Sequence, residues 1–426
     1  MQAELAEYLR SLGAVPVPSD VPSEEASPDF STGVTPYSVE PLAELCLPEV
    51  TDSEVNLRFF LDGVQRTVPL GLLSVKNLSI PVYIAHLIVG VMERKDRVLT
   101  PFMLREALVF YIPLEAMRNL DPSIGEPPYL HKFDQRGNIY DAIRTVRMRG
   151  LSFWTDISIP LSLREKRGKK EETILGSSEL SAIGAVRCAA RTRSKVLLRV
   201  MELGVLWEVI SNVMLGKNDF IVIDGPVFLP LKYARLANNR LATLIDFSWE
   251  KIADVNKAYS FYSHVIGAVK NVSVIPTQGL TLAFSQGPGI TIPIYLFSET
   301  VEGADDEVSS HTISAFIRLR RELSGEISPI WSPTSELSRI DIPLPAIVDE
   351  NEPWYIPDFR PDLSVGSHHR QRLEAILRAA IRDRWPIPET TPHRMLTEYY
   401  CIAETENWLR SHLLPEQELR SMVPIR

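Results

Sequence analysis

Cysteine is scarce: Cys46, Cys188 and Cys401 are the three in 426 residues, and they are widely scattered. That excludes both a disulfide framework and a cysteine-based zinc site, and the three read as buried thiols. No apolar run reaches the length of about 20 residues that a membrane-crossing helix needs. The opening MQAELAEYLRSLGAV carries Glu4, Glu7 and Arg10 at helical spacing instead of a basic-then-apolar leader. A cytoplasmic protein with no membrane partner is the expectation. No GxxxxGK(S/T) phosphate loop occurs, so ATP hydrolysis is not expected of this chain, and no GxSxG nucleophile elbow occurs either. The eight histidines fall into no zinc-ligand spacing.

What is present is the material of a globular protein of two or three domains, with 45% hydrophobic and 23% charged residues. A formal charge of -9 argues against a protein that coats nucleic acid along its whole surface. The charge is uneven, however. Between Asp141 and Val200, 13 Lys or Arg stand against 6 Asp or Glu. This segment includes LREKRGKKEE, where Arg164, Lys166, Arg167, Lys169 and Lys170 form a candidate nucleic-acid-binding tip. A solvated loop balanced by Glu165, Glu171 and Glu172 accounts for the same residues equally well.

The N-terminal helix is followed over residues 15 to 50 by Pro16, Pro18, Pro22, Pro28, Pro36, Pro41 and Pro48 among polar residues, which reads as an extended connector. Residues 1–50 are therefore expected to form an arm for exchange or docking, 51–345 a core with the basic segment inserted, and 346–426 a helical region completing it. From Val55 a strand runs to Asp62, then IPVYIAHLIVGVMER and REALVFYIPLE follow as two more, separated by the charged turn RKDR. The pattern RTRSKVLLRVMELGVLWEVISNVML predicts a long helix packed on a sheet. Strand 219–224, a helical stretch near Val227 to Leu244, and strand FYSHVIGAVKN come next. GLTLAFSQGPGITIPIYLFSE and HTISAFIRLRRE read as further strands, IPLPAIVDENEPWYIPDFRPD as a surface run, and QRLEAILRAAIRDRW and RMLTEYYCIAETENWLRSHL as closing helices.

One gesture occurs twice. In RFFLDG an apolar run delivers Asp62 and then Gly63; in FIVIDG another delivers Asp224 and Gly225. A carboxylate at the end of a buried strand suits a metal ligand, although a strand followed by an Asp-Gly turn needs no chemistry. Geometry favours a meeting. If the helix ends near Leu215, Glu202 lies about 13 residues back, or roughly 20 Å. The returning strand to Asp224 covers roughly 17 Å, which brings Glu202 and Asp224 level. Glu208 falls short of that level and points elsewhere. The alternative for Glu202 is an i, i+3 pairing with Arg199.

An acid ending a first strand, another on the first long helix and a third ending the next strand form the constellation of a ribonuclease-H-like nuclease. Carboxylates are hard oxygen ligands suited to Mg²⁺ or Mn²⁺, and two such ions can assist attack by water and departure of the 3′ oxygen of a phosphodiester.

On FFLDG, FIVIDGP, HVIGAVKN with Lys270, and AFIRLR with Arg318 and Arg320, in that order, the chain resembles the NurA nuclease family, partners of the HerA hexameric translocase, over about residues 50 to 420. The resemblance implies an α/β fold with a ribonuclease-H-like mixed sheet flanked by helices, preceded by the helical arm and extended by C-terminal strands and helices. It also implies a homodimer, Mn²⁺-dependent cutting of DNA, and association with an ATP-driven DNA motor. Asp62, Glu202 and Asp224 take the metal-ligand roles. The last ligand falls in WPIPETTPHRMLTEYYCIAE, where Glu398 matches best, with Glu404 and His393 behind it; the family pattern has His or Asp there, and a surface glutamate is the plain alternative. Lys270 is a candidate for the scissile phosphate or simply a strand end. Arg66, Arg318 and Arg320 are candidate DNA contacts.

Three functions follow as expectations: a deoxyribonuclease serving DNA end resection or antiphage defence with a HerA-like motor, a catalytically silent adaptor that docks on the motor, and an enzyme acting on RNA or a hybrid.

Overall fold

The computed structural model describes residues 2–16, 37–41, 54–125, 151–158, 179–180, 183–225, 227, 255–269, 294–298, 312–318, 337–354, 359–388 and 395–423. Helix α1 (Gln2–Ser11) and the short β1 (Val15–Pro16) open the chain, and β2 (Tyr37–Pro41) follows. Ala6 and Leu9 of α1 are fully buried, and Tyr8 donates a hydrogen bond to the Gly125 carbonyl, so the helix lies on the body.

The three expected antiparallel strands are present and longer than the apolar runs suggest: β3 (Asn56–Val75), β4 (Leu78–Lys95) and β5 (Val98–Ile112). Lys76 closes the first hairpin and Asp96 and Arg97 the second, all with φ near +50 to +70°. β4 is buried along nearly its whole length because helices cover both of its faces. After α2 (Leu114–Leu120), β6 (Leu151–Asp156) pairs in parallel with β5.

Helix α3 (Ile183–Asn212) lies across β3 and β4, burying Leu197, Leu198, Met201, Val205 and Val209. It starts earlier and stops three residues sooner than Leu215. Strand β7 (Asp219–Asp224) returns beside β3 and parallel to it. Helix α4 (Val255–Tyr262) occupies the first part of what reads in the sequence as a strand; Phe261 on it stacks on Trp207 of α3, and β8 (Val265–Val269) follows, parallel to β7.

β9 (Ile294–Ser298), β10 (Thr312–Arg318) and β11 (Leu337–Pro343) extend the sheet antiparallel from β8. Among the described residues the sheet has 11 strands in the order β2, β9, β10, β11, β8, β7, β3, β4, β5, β6, with β1 beside the far part of β3. The proline-rich run after β11 is only partly a surface stretch: a 3-10 turn at Leu344–Ala346 leads into buried Ile347 and Val348, Asp349, Glu350 and Asn351 are exposed, and Trp354 is buried again, only 2% exposed. Apolar side chains outweigh the proline content there.

The chain ends with α5 (His368–Asp383), the hairpin β12 (Arg384–Pro388) and β13 (Met395–Tyr399), α6 (Tyr400–His412) and α7 (Glu416–Ser421). Met395–Tyr399, expected as part of the last helix, is thus a strand. α6 packs on β3 and β4 from the face opposite α3, where Leu409 joins Val64 and Ile88. Cys401 is buried, which raises its thiol pKa to about 11, whereas Cys188 on α3 is exposed and not the buried thiol expected. No described helix is long and apolar enough to cross a membrane.

Candidate functional site

β3 and β7 run parallel from Asn56↔Asp219 to Leu61↔Ile223. At the starting end Arg58 bridges Glu93 of β4 at 2.7 Å and Asp219 of β7 at 3.1 Å, which ties the three strands in register. At the other end the ladder stops one residue short of the two aspartates. Asp62 and Asp224 therefore lie side by side on neighbouring strands, Asp62 only 4% exposed and Asp224 half-buried.

The two Asp-Gly pairs are locally different. β7 ends at Asp224, and Gly225 turns the chain with φ +103°. Asp62 is not at a strand end, contrary to the reading of its sequence. β3 passes straight through Gly63 because β4 supplies a continuous ladder, Asp62↔Gly90 and Gly63↔Val89. What ends at Asp62 is the parallel pairing on the β7 side, so the carboxylate still sits at an opening of the sheet.

Both glycines serve α3. A Cβ on Gly63 would stand 2.5 Å from Glu202 Oε1, and one on Gly225 would stand 2.8 Å from Arg199 Nη2. Arg199 and Glu202 form an ion pair one helical turn apart, with Arg199 Nη1 donating to Glu202 Oε2 at 2.5 Å and to the Asp224 carbonyl oxygen at 2.8 Å. Arg199 thereby joins the Glu202 carboxylate to the main chain at Asp224.

The pleat sorts these groups by face. Gly63 presents α3, and the strand alternation puts Asp62 on the other side, with its partner Gly90 against Trp408 and Leu409 of α6. Glu202 thus arrives from one face and Asp62 from the other, beside the edge that β7 has vacated. Burial pushes the Glu202 carboxyl above the usual range against the pull of Arg199, while Glu202, Asp224 and Asp62 hold the Arg199 guanidinium firmly protonated. Among the described residues no group of three or more acidic, histidine or cysteine side chains stands close enough to hold a metal ion as they lie. What Glu202 and the Asp224 backbone carbonyl hold instead is the Arg199 guanidinium.

The remaining candidates divide. Glu208 pairs with Arg105 at 2.5 Å, away from the site. Arg66 donates to the Leu414 carbonyl at 2.6 Å, an intramolecular partner where the sequence suggests a DNA phosphate. Glu398 lies in β13 opposite Trp385, and nothing further of it is described. Glu404 is half-buried on α6. Arg318 closes β10, with only its backbone described. Lys166, Arg167, Lys169, Lys170, Lys270, Arg320 and His393 lie outside the described residues.

Two participants have no standing in the sequence reading as site residues. Arg199 is visible there only as a helical partner of Glu202, since its reach to Asp224 depends on the sheet. His86 is opposite Arg66 in the hairpin and accepts the Leu414 N–H at 3.2 Å, a contact set by strand register alone.

No protein-family model matches the chain, and no curated protein matches it. Among solved structures it is similar to the NurA nuclease from Sulfolobus solfataricus, at 11% sequence identity and a TM-score of 0.26, over 76% of this chain and 80% of that chain. At that level of likeness the chemistry has to be read from the residues themselves.

Proposed function

We propose that the chain is a metal-dependent deoxyribonuclease subunit with a ribonuclease-H-like core, acting with a HerA-like ATP-driven DNA translocase. The observation that carries this reading is the β3–β7 register, which puts Asp62 beside Asp224 at a sheet opening with Glu202 overhead. The strand order β5, β4, β3, β7, β8 supports it, with α3 between the antiparallel and the parallel part and α4 between the two parallel strands. We read that succession as ribonuclease-H-like.

Asp62, Glu202 and Asp224 are hard oxygen donors of the kind divalent cations take, although as they lie they do not group about one point. Asp62, Glu202 and Asp224 would hold Mn²⁺ or Mg²⁺, two ions in the full site, with Glu398 or Glu404 as a further ligand. Such ions supply positive charge to the attacking water and to the departing 3′ oxygen. Asp62 and Asp224 contribute fixed geometry, because each hangs from a hydrogen-bonded strand, and Glu202 closes the site from α3. Lys270 is assigned to the scissile phosphate, and the basic tip at Lys166, Arg167, Lys169 and Lys170, with Arg318 and Arg320, to the DNA backbone. A homodimer around a central passage and an acidic exterior of net charge -9 agree with a motor that supplies much of the DNA affinity.

One observation favours a second reading. Arg199 already pairs with Glu202, as a permanent replacement for metal would in a catalytically silent adaptor that docks on the motor. Cleavage of linear DNA with Mn²⁺, Mg²⁺ or EDTA, by the wild type, Asp62→Asn and Asp224→Asn, with and without a HerA-type ATPase, separates the two. Metal-dependent cutting by the wild type and its loss in both folded variants supports the nuclease. Co-purification with the motor and no cutting under any condition supports the adaptor.

A further inference from the structure

We propose that Arg187, Arg191 and Lys195 of α3 form a phosphate track, a row of cations that holds the sugar-phosphate backbone of a nucleic-acid strand and leads it to the sheet opening at Asp224. The inference rests on the nucleic-acid part of the reading above, but it needs no bound metal and would serve a nuclease and a silent adaptor alike.

The row is set by spacing. Arg187, Arg191, Lys195 and Arg199 follow one another at four-residue intervals, so they share one ridge of the helix surface. Arg187 and Arg191 are half-buried, and Lys195 is exposed. Arg199 closes the row beside Gly225, where it holds Glu202 and the Asp224 carbonyl. From first to last the ridge runs about 18 Å, which spans roughly five phosphates of a strand at about 3.4 Å each. A row of this length matches a polymer better than a compact phosphate ligand.

The other helices show that such a row is not this protein's ordinary surface chemistry. On α5, α6 and α7 a Glu answers Arg at the same spacing: Arg370 and Arg378 with Glu374, Arg410 with Glu406, Arg420 with Glu416. α3 does the reverse. Its residues 183–201 include Arg187, Arg191, Arg193, Lys195 and Arg199 and no Asp or Glu. Like charges four residues apart destabilise a helix, and these cations feel one another. Burial and then the charge of Arg187 lower the Arg191 pKa; burial and then Arg191, with Arg199 behind it, lower that of Lys195. A polyanion laid along the ridge turns that repulsion into attraction and releases its own counterions.

An anionic membrane fits less well. A helix that lies on a membrane presents large apolar side chains beside its cations, and among the described residues of α3 none of that kind is exposed. Its apolar side is buried on β3 and β4. Phosphate contacts carry no sequence information, so the track should hold unrelated sequences alike.

The test is fluorescence anisotropy of two labelled single-stranded oligonucleotides of unrelated sequence, titrated with the full chain in EDTA over a series of salt concentrations. The variants are the triple Arg187→Gln, Arg191→Gln, Lys195→Gln, the single Lys195→Glu, and a control of equal charge change at exposed positions on α1, the β4–β5 turn and α6, Arg10→Gln, Arg97→Gln, Arg410→Gln. The triple variant should lose at least tenfold in affinity at low salt for both sequences. Its slope of log affinity against log salt should fall by about 2, three contacts at about 0.7 each. Its thermal midpoint should hold or rise, because repulsion has been removed, and the control should keep the wild-type slope. Wild-type affinity and slope in the folded triple variant, or an equal loss in the control, overturns the proposal. If the triple variant does not fold, Lys195→Glu decides: a severalfold loss supports the track, and wild-type binding overturns it. Failure of the wild type to bind either oligonucleotide, or loss in the triple variant of binding to phosphatidylserine vesicles alone, also overturns it. A track that passes these tests in a chain that never cuts DNA stands while the nuclease reading falls.

Discussion

Gly63 lies directly beneath Glu202: a methyl group on the glycine would stand 2.5 Å from Oε1 of the carboxylate and 2.9 Å from Leu198 Cγ. Replacing Gly63 by alanine should therefore lift α3 from β3 and cost about 1–3 kcal/mol, the range for overpacking in a dense interior. Gly204, on the same helix, has nothing within 4 Å of its missing Cβ. Gly204→Ala should instead stabilise by roughly 0.5–1 kcal/mol through helix propensity. Denaturant midpoints of the two variants check the contrast, and a loss in both would show that helix packing has been misjudged.

The cross-strand pair Arg66 and His86 clasps one residue of the link between α6 and α7, Arg66 donating to the Leu414 carbonyl and His86 accepting the Leu414 N–H. The neutral ring then carries its proton on Nε2, which faces Glu106 at 3.5 Å. Burial lowers the His86 pKa below its usual 6.5, with Arg66 acting in the same direction and Glu106 and Glu418 opposing. The unfolded chain therefore takes up the proton first as pH falls. The stability contributed by neutral His86 is complete above pH 6.5 and is lost as the pH drops from there through the folded pKa. Unfolding curves at pH 7.5 and at about pH 5.5 should differ less for His86→Gln than for the wild type.

The same clasp separates stability from DNA affinity. Arg66→Ala should lower stability by about 1–2 kcal/mol, as expected for a charged donor to a carbonyl, and leave the salt dependence of DNA binding unchanged. A shallower salt slope would restore Arg66 to the DNA-contacting role that its place in the sequence suggests.

Two strands from β7, in register with Gly267 and Ile223, Asp341 of β11 is wholly buried and takes two hydrogen bonds from Arg339, at 2.8 and 3.0 Å, and one from Ser314 at 2.5 Å. Asp341→Ala should cost about 3–5 kcal/mol because it removes the carboxylate paired with the buried Arg339, and Arg339→Met combined with Asp341→Leu should recover most of it. Thermal unfolding of the two variants decides whether the pair stabilises or merely tolerates burial.

β7 is legible to the residue, since an apolar run bounded by Asp219 and Gly225 has only one plausible extent. β3 is not, because Asp-Gly is a turn signal wherever no partner strand overrides it, and here β4 does so across Gly63 and on to Ser74. RMLTEYYCIAETENWLRSHL carries a helical pattern throughout, yet Met395–Tyr399 is extended because it finds a ladder partner in Arg384–Pro388. The Arg199–Glu202 pair follows from spacing alone. Its approach to Asp224 does not, for that contact joins a helix to a strand end whose relative height the returning loop decides.

The parallel ladder also imposes an order of events on the newly made chain. β3, β4 and β5 are joined by two-residue turns and can zip together locally, whereas Asn56 meets Asp219 across 163 positions. Until β7 has been synthesised and docked, the β7-facing edge of β3 is an uncovered row of backbone donors and acceptors, open to capture by another molecule. Asp62 stands on that edge. Before it can serve any ion, its charge works against adhesion, and the first task of the candidate ligand is to keep the half-built sheet to itself.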